Sequence, residues 1–177
     1  MSSRIDGVNV AKFTAKQETE RDRSADSANV YLLSVYVESG AFKKRYKSNQ
    51  LRRDIEIRGD QTLDDLHETI FSAFDRDDEH LYEFQFGRKP NERGAPMYGF
   101  RDMMDWYRAD SRDTTLDSLN LKPDRVFGYL FDFGDNWYHH IKVQQIGQAD
   151  PTVQYPRVIE RVGKSPPQYP EFDEEEE

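Results

Sequence analysis

The chain has 177 residues, no cysteine and a net charge of −9. That length fits one domain burying roughly 70% of its unfolded surface without a metal or cross-link, and the absent thiols exclude disulfides, thiolate metal ligands, iron–sulfur ligation and cysteine nucleophiles. Six acids fall in Glu171–Glu177, so the body carries only −3, a balance that argues against broad electrostatic affinity for nucleic acid.

The opening residues contain no apolar signal region, and no apolar run approaches the about 20 residues that cross a bilayer. A cytoplasmic protein without membrane contact is expected. Residues 1–28 carry five basic and five acidic side chains without periodicity, which predicts a mobile polar leader. One domain is expected over 29–170 and an acidic tail over 171–177. The run Val30–Glu38, VYLLSVYVE, is apolar on both alternating faces and predicts a buried strand. Lys43, Lys44, Arg45, Lys47, Arg52 and Arg53 then fall within eleven residues without an intervening acid. They form a candidate basic patch, or simply a solvated connection.

Ile55 and Ile57 flank Glu56, so a strand there turns both isoleucines inward. Thr62 followed by Asp65 resembles a capping box with Asp in place of Glu. Leu63, Leu66, Ile70, Phe71 and Phe74 then recur at helical spacing, which predicts about three and a half turns with one apolar face. Tyr82, Phe84 and Phe86 alternate on a third strand. Residues 88–113 read as a long loop that is either functional or holds hidden structure. Its aromatics, Tyr98, Phe100, Trp106 and Tyr107, could stack on a base or anchor a partner, or Met103, Met104 and Trp106 could fold back as a lid. A short helical turn is expected at the second TLDSL-type sequence, after Thr115.

Phe127, Tyr129, Phe131 and Phe133 alternate strictly, Gly134-Asp135-Asn136 has turn chemistry, and Trp137, His139, Ile141 and Val143 alternate on the way back. This predicts an aromatic hairpin with either Phe131 or Leu130 opposite His139. Beyond Ile146, five prolines between 151 and 170 predict an extended segment over the surface. The sum is an α+β domain: about five mixed or antiparallel strands, one main helix packed across them in the style of a β-grasp, and a proline-rich C-terminal extension.

The segments QTLDDLHETI, HLYEFQFG, MYG, TTLDSLNL, FGYLFDFGDNWYHHIKV, YPRVIERVG and PP, in this order from about Tyr31 to Pro167, resemble the plasmid pRiA4b ORF-3-like family. The resemblance is carried by Gly134, Asp135, Trp137 and His139, by His80, Leu81 and Phe84, and less specifically by His67 in the helix. It implies a compact α+β fold and an association with plasmids and mobile elements, where some members carry a resolvase-like label. A serine recombinase needs a nucleophilic serine among clustered arginines and a DNA-binding tail, whereas this chain ends in acids. It also departs from the family at Arg52-Arg53-Asp54, where a tryptophan and two arginines are usual, and at Gln168-Tyr169, where carboxylates usually follow the paired prolines.

Asp132, Asp135 and His139, with Trp137 beside them and His80 at the mouth of another strand, form a candidate polar cluster. Its histidines and carboxylates could hold a divalent metal such as zinc, manganese or iron. Only one of His139 and His140 can join it, because adjacent strand residues face opposite ways. The alternative is structural: Asp135 capping the turn, Trp137 packed, His139 buried with a hydrogen bond, and His67 half-buried on its helix. The function expected first is a non-enzymatic interaction module with a protein partner. A metal-dependent hydrolase acting on a phosphoester, and a nucleic-acid-binding accessory working through residues 43–53, are the alternatives.

Overall fold

A computed structural model of the chain describes residues 28–41, 44–47, 50–88 and 92–169. The expected leader, save its last residue, and the acidic tail lie outside the described residues. The strands are β1 (Asn29–Gly40), β2 (Lys44–Arg45), β3 (Arg52–Arg58), β4 (Tyr82–Gln85), β5 (Met97–Gly99), β6 (Ala109–Asp110), β7 (Val126–Phe131), β8 (Trp137–Gln148) and β9 (Arg157–Val162). Helix α1 spans Leu63–Ala73, and a 3-10 turn spans Asp117–Leu119.

Eight strands lie in the order β6-β5-β4-β7-β8-β1-β3-β9, with β2 paired to the end of β1. Every pairing is antiparallel except that of β5 with β6. β1 sits between β8 and β3, so its backbone is hydrogen-bonded along both edges, while one face is fully buried and the other only partly. Leu33, Val35 and Val37 are fully buried on one face. On the other, Ser34 Oγ donates to Asp54 Oδ1 at 2.7 Å and accepts from Gln144 Nε2 at 3.1 Å.

The capping box forms as the sequence predicts. Thr62 Oγ1 accepts from Asp65 N–H at 3.1 Å, and Asp65 Oδ2 accepts from Thr62 N–H at 2.7 Å, so two otherwise orphaned donors are satisfied. Leu63, Leu66 and Ile70 are buried on the inner face, each contributing about 2 kcal/mol by leaving water.

The expected five-stranded, β-grasp-like sheet with one main helix across it is not what the chain forms. Eight strands at about 4.8 Å spacing give a sheet about 34 Å wide, whereas an 11-residue helix is about 16 Å long. The fold is mostly sheet, and α1 covers part of one face. Two features enlarge it. The 88–113 region holds hidden strands β5 and β6, too short to show periodicity. The C-terminal segment does not simply run over the surface: its prolines bracket the proline-free Arg157–Val162, which joins the edge of β3.

Candidate functional site

The β7–β8 hairpin carries most of the predicted polar cluster. Its connection is five residues long, Asp132–Asn136, so Tyr129 stands opposite His139 and Phe131 opposite Trp137; the expected pairings of His139 with Phe131 or Leu130 do not occur. Asp132, with φ of 58°, caps the turn in place of Asp135: its Oδ1 accepts from Gly134 N–H at 2.9 Å and from Asp135 N–H at 3.3 Å. Asp135 instead lines a surface groove with Glu38, Arg45 and Tyr138.

His139 faces the core. Its Nδ1–H donates to the Trp137 carbonyl at 2.9 Å, and burial, reinforced by the Arg76 charge, lowers its pKa to about 3. The indole of Trp137, 1% exposed, has the Arg76 guanidinium carbon 3.6 Å from its ring centroid and packs so closely on Gly40 that a Cβ there would lie 2.2 Å from the ring. His140, on the opposite face, stacks on Tyr36 and donates from Nδ1 to Glu38 at 2.9 Å. His80 is at the rim, hydrogen-bonded through Nε2 to the Tyr169 hydroxyl at 2.6 Å, with Asp132 Oδ2 at 3.7 Å. The structure therefore brings His80 to Asp132 but separates both from the interior Trp137–His139 pair.

Further contacts hold the segment 166–169 in place. Gln168 Oε1 accepts from the backbone N–H groups of Asp77 and Asp78, and its Nε2 donates to the Asp78 carbonyl. Arg76 reaches the Pro166 carbonyl at 3.4 Å. The segment after β9 is thereby strapped across the C-terminal end of α1.

A different trio has metal-ligand spacing. His67, Glu68 and Glu79 each offer one ligand atom, all within 4.8 Å of one another. His67 is fully buried, not half-buried as expected, and stacks on Tyr82 with centroids 3.7 Å apart. Its Nδ1 accepts from the Tyr129 hydroxyl at 2.8 Å, leaving Nε2–H directed at Glu79 Oε2, 3.4 Å away. Burial lowers its pKa to about 3, so the ring is neutral. A metal would have to take the place of the Nε2 proton.

The predicted basic patch does not assemble as one surface. Lys43 and the side chain of Lys44 lie outside the described residues. Arg52 pairs with Glu160 and lies 3.1 Å from Asp54. Arg53 is 2% exposed and acts as an internal tie: Nε donates to the Ala73 carbonyl at the end of α1, Nη1 to the carbonyls of Arg52, Val162 and Gly163, and Nη2 to Ser165 Oγ. Among the described side chains of the patch, only those of Arg45 and Lys47 are exposed.

Positive charge gathers elsewhere. Two adjoining grooves, of about 450 and 250 Å³, share Phe86, Pro96 and Arg125 at the end of β4. Arg108 and Lys122 line the first, and Arg88 and Arg93 the second. Four of these five cations are exposed. The half-buried Arg125 is braced by a 3.0 Å bond from Nη2 to the Phe86 carbonyl. Among the described residues Glu92 is the one acid on the lining, and its carboxylate accepts from the Arg88 backbone N–H. Among the described residues none of the five cations makes an ion pair, whereas Arg52, Arg58, Arg112, Lys142 and Arg157 all do. Phe86, stacked on Phe127 at 4.7 Å and edge-on to Tyr98, gives the groove an apolar floor. Sequence reading missed this site because its cations come from four separate segments. The only signal was the aromatic content of the 88–113 region.

That region also carries two of the most exposed apolar side chains, Met103 at 60% and Trp106 at 62%. The lid expected of them does not form. Tyr107 turns inward instead, its hydroxyl donating to Glu83 Oε2 at 3.2 Å.

Among solved structures the fold is similar to a protein of unknown function, MM3350, from Methanosarcina mazei Go1. The TM-score is 0.63 at 24% identity, over 80% of this chain and 74% of that one. A curated relative, the uncharacterized protein y4hQ of Sinorhizobium fredii, is 32% identical over 111 residues, which are 60% of this chain and 52% of the relative. The match thus spans about half the length of that relative. The family model described as plasmid pRiA4b ORF-3-like protein matches residues 43–169, and the chain belongs to that family.

Proposed function

We propose that this chain is a non-enzymatic interaction module whose partner is anionic and seats in the groove at the end of β4. The observation that carries this reading is the gathering of Arg88, Arg93, Arg108, Lys122 and Arg125 around one concavity without ion pairs among the described residues. Such a cluster raises the local potential even on an acidic protein, and its self-repulsion is relieved by a bound anion. Arginine predominates, which suits forked contacts to carboxylate or phosphate oxygens. The histidines that a hydrolytic metal site would recruit, His67 and His139, are instead buried and held by Tyr129 and by the Trp137 carbonyl. In a plasmid setting, such a module would serve as an accessory to other proteins.

Heparin is a suitable generic polyanion for the test. The protein should bind it with an affinity that falls steeply with salt, and Arg108→Glu with Lys122→Glu should abolish most of that binding, while Lys47→Glu on the other basic stretch leaves it unchanged. Equal loss in both variants, or no binding at low salt, would overturn the reading.

A further inference from the structure

We infer that the anion taken by this groove is single-stranded nucleic acid, with Trp106 stacking on a base beside the phosphates; this rests on the proposed interaction module. Three observations converge on it. First, the cations line a concavity, about 450 Å³ running into about 250 Å³. Duplex readers insert a projecting helix or ribbon into a DNA groove, whereas a single strand is tracked by a positively charged channel. Second, Trp106 is 62% exposed and precedes the groove residue Arg108 by two positions. The backbone N–H of Arg108 is fixed by a 2.8 Å bond to the Met97 carbonyl of β5, so the loop carrying the indole is anchored at the groove wall.

Third, the composition of the site matches a phosphodiester strand better than an acidic peptide. A strand offers both regularly spaced anions and flat apolar faces; the groove supplies the guanidinium groups, and the loop entering it at Arg108 carries an exposed indole two residues earlier. Two adjoining grooves sharing Arg125 form one track, and such channels take about four nucleotides or more. Among the described residues, five cations against one carboxylate leave about four phosphate contacts. The affinity should then fall about 50-fold between 50 and 200 mM salt, from a log–log slope near −3 for single strands.

The experiment is fluorescence anisotropy of the full chain with a labelled oligothymidylate of about 12 nucleotides, run beside heparin, poly-glutamate and a duplex of equal length, for wild type and Trp106→Ala. The expected result is salt-sensitive binding to the oligothymidylate, weaker binding to the duplex, quenching of tryptophan fluorescence, and about a 10-fold loss or more in Trp106→Ala with heparin binding unchanged. Heparin binding that depends on Arg108 and Lys122, with no oligothymidylate binding or no effect of Trp106→Ala, would overturn this inference and leave the interaction module standing. Preference for the duplex or for poly-glutamate would likewise overturn it, giving the groove to double-stranded nucleic acid or to an acidic protein. Failure to bind any polyanion would end both proposals.

Discussion

Lowering the pH from 7 to 5 tests two buried histidines at once. His67 and His139 have pKa values lowered to about 3, chiefly because burial disfavours the imidazolium, whereas an unfolded histidine titrates near pH 6.5. The unfolded chain therefore takes up protons that the native state refuses, and stability must fall as pH drops below about 6.5 and keep falling until about 3. Between pH 7 and 5 each residue costs about 2 kcal/mol, so the pair costs about 4 kcal/mol, a large share of the about 5–15 kcal/mol that holds an ordinary domain folded. Urea denaturation at pH 7, 6 and 5 measures this directly. His67→Gln, which keeps a polar group near Tyr129 and Glu79, should lower stability at pH 7 yet lose about half of the pH dependence, since only His139 still titrates. Stability that is flat within about 1 kcal/mol over this range, or an unaltered slope in the variant, would refute the burial argument.

Arg53→Leu should cost about 3 kcal/mol or more, because it removes the buried donor to the Ala73 carbonyl and the donor to the part-buried carbonyls of Val162 and Gly163; chemical denaturation would register it, and hydrogen exchange should show β9 opening first. Gly163→Ala should cost about 2–4 kcal/mol, since the residue has φ of 76° and a Cβ there would meet the Gln50 carbonyl oxygen at 2.0 Å; thermal unfolding would show it. Chelation by EDTA should leave heparin affinity unchanged, because the groove is lined by cations and its one carboxylate is bonded to the Arg88 backbone; a marked loss would point to a metal-bridged contact.

Long periodic elements were legible in the sequence. The capping box at Thr62, the Ile55–Ile57 strand and the aromatic hairpin all rest on local patterns that tertiary packing reinforces. Legibility ended where structure depends on neighbours. β5 and β6 have three and two residues, too few to display a period, and β9 is an edge strand whose side chains are largely exposed. The hairpin pairing depended on a loop length that Asp132 sets by adopting a left-handed conformation, which the turn residues alone did not reveal. Charge misled in the same way. The visible run at 43–53 contains Arg53, which is consumed inside the fold, whereas the cations of the groove are up to 37 positions apart and meet only when β4, β5 and the 117–125 segment converge.

Amide chemical-shift mapping of the protein titrated with a short heparin oligosaccharide tests whether this groove holds the anionic partner. Perturbations should concentrate at Arg88, Arg93–Ala95, Arg108 and the non-proline residues of Ser118–Arg125, with silence at Arg45–Arg53. Perturbations centred on Arg45–Arg53, or scattered over the surface without a focus at the groove, would contradict it.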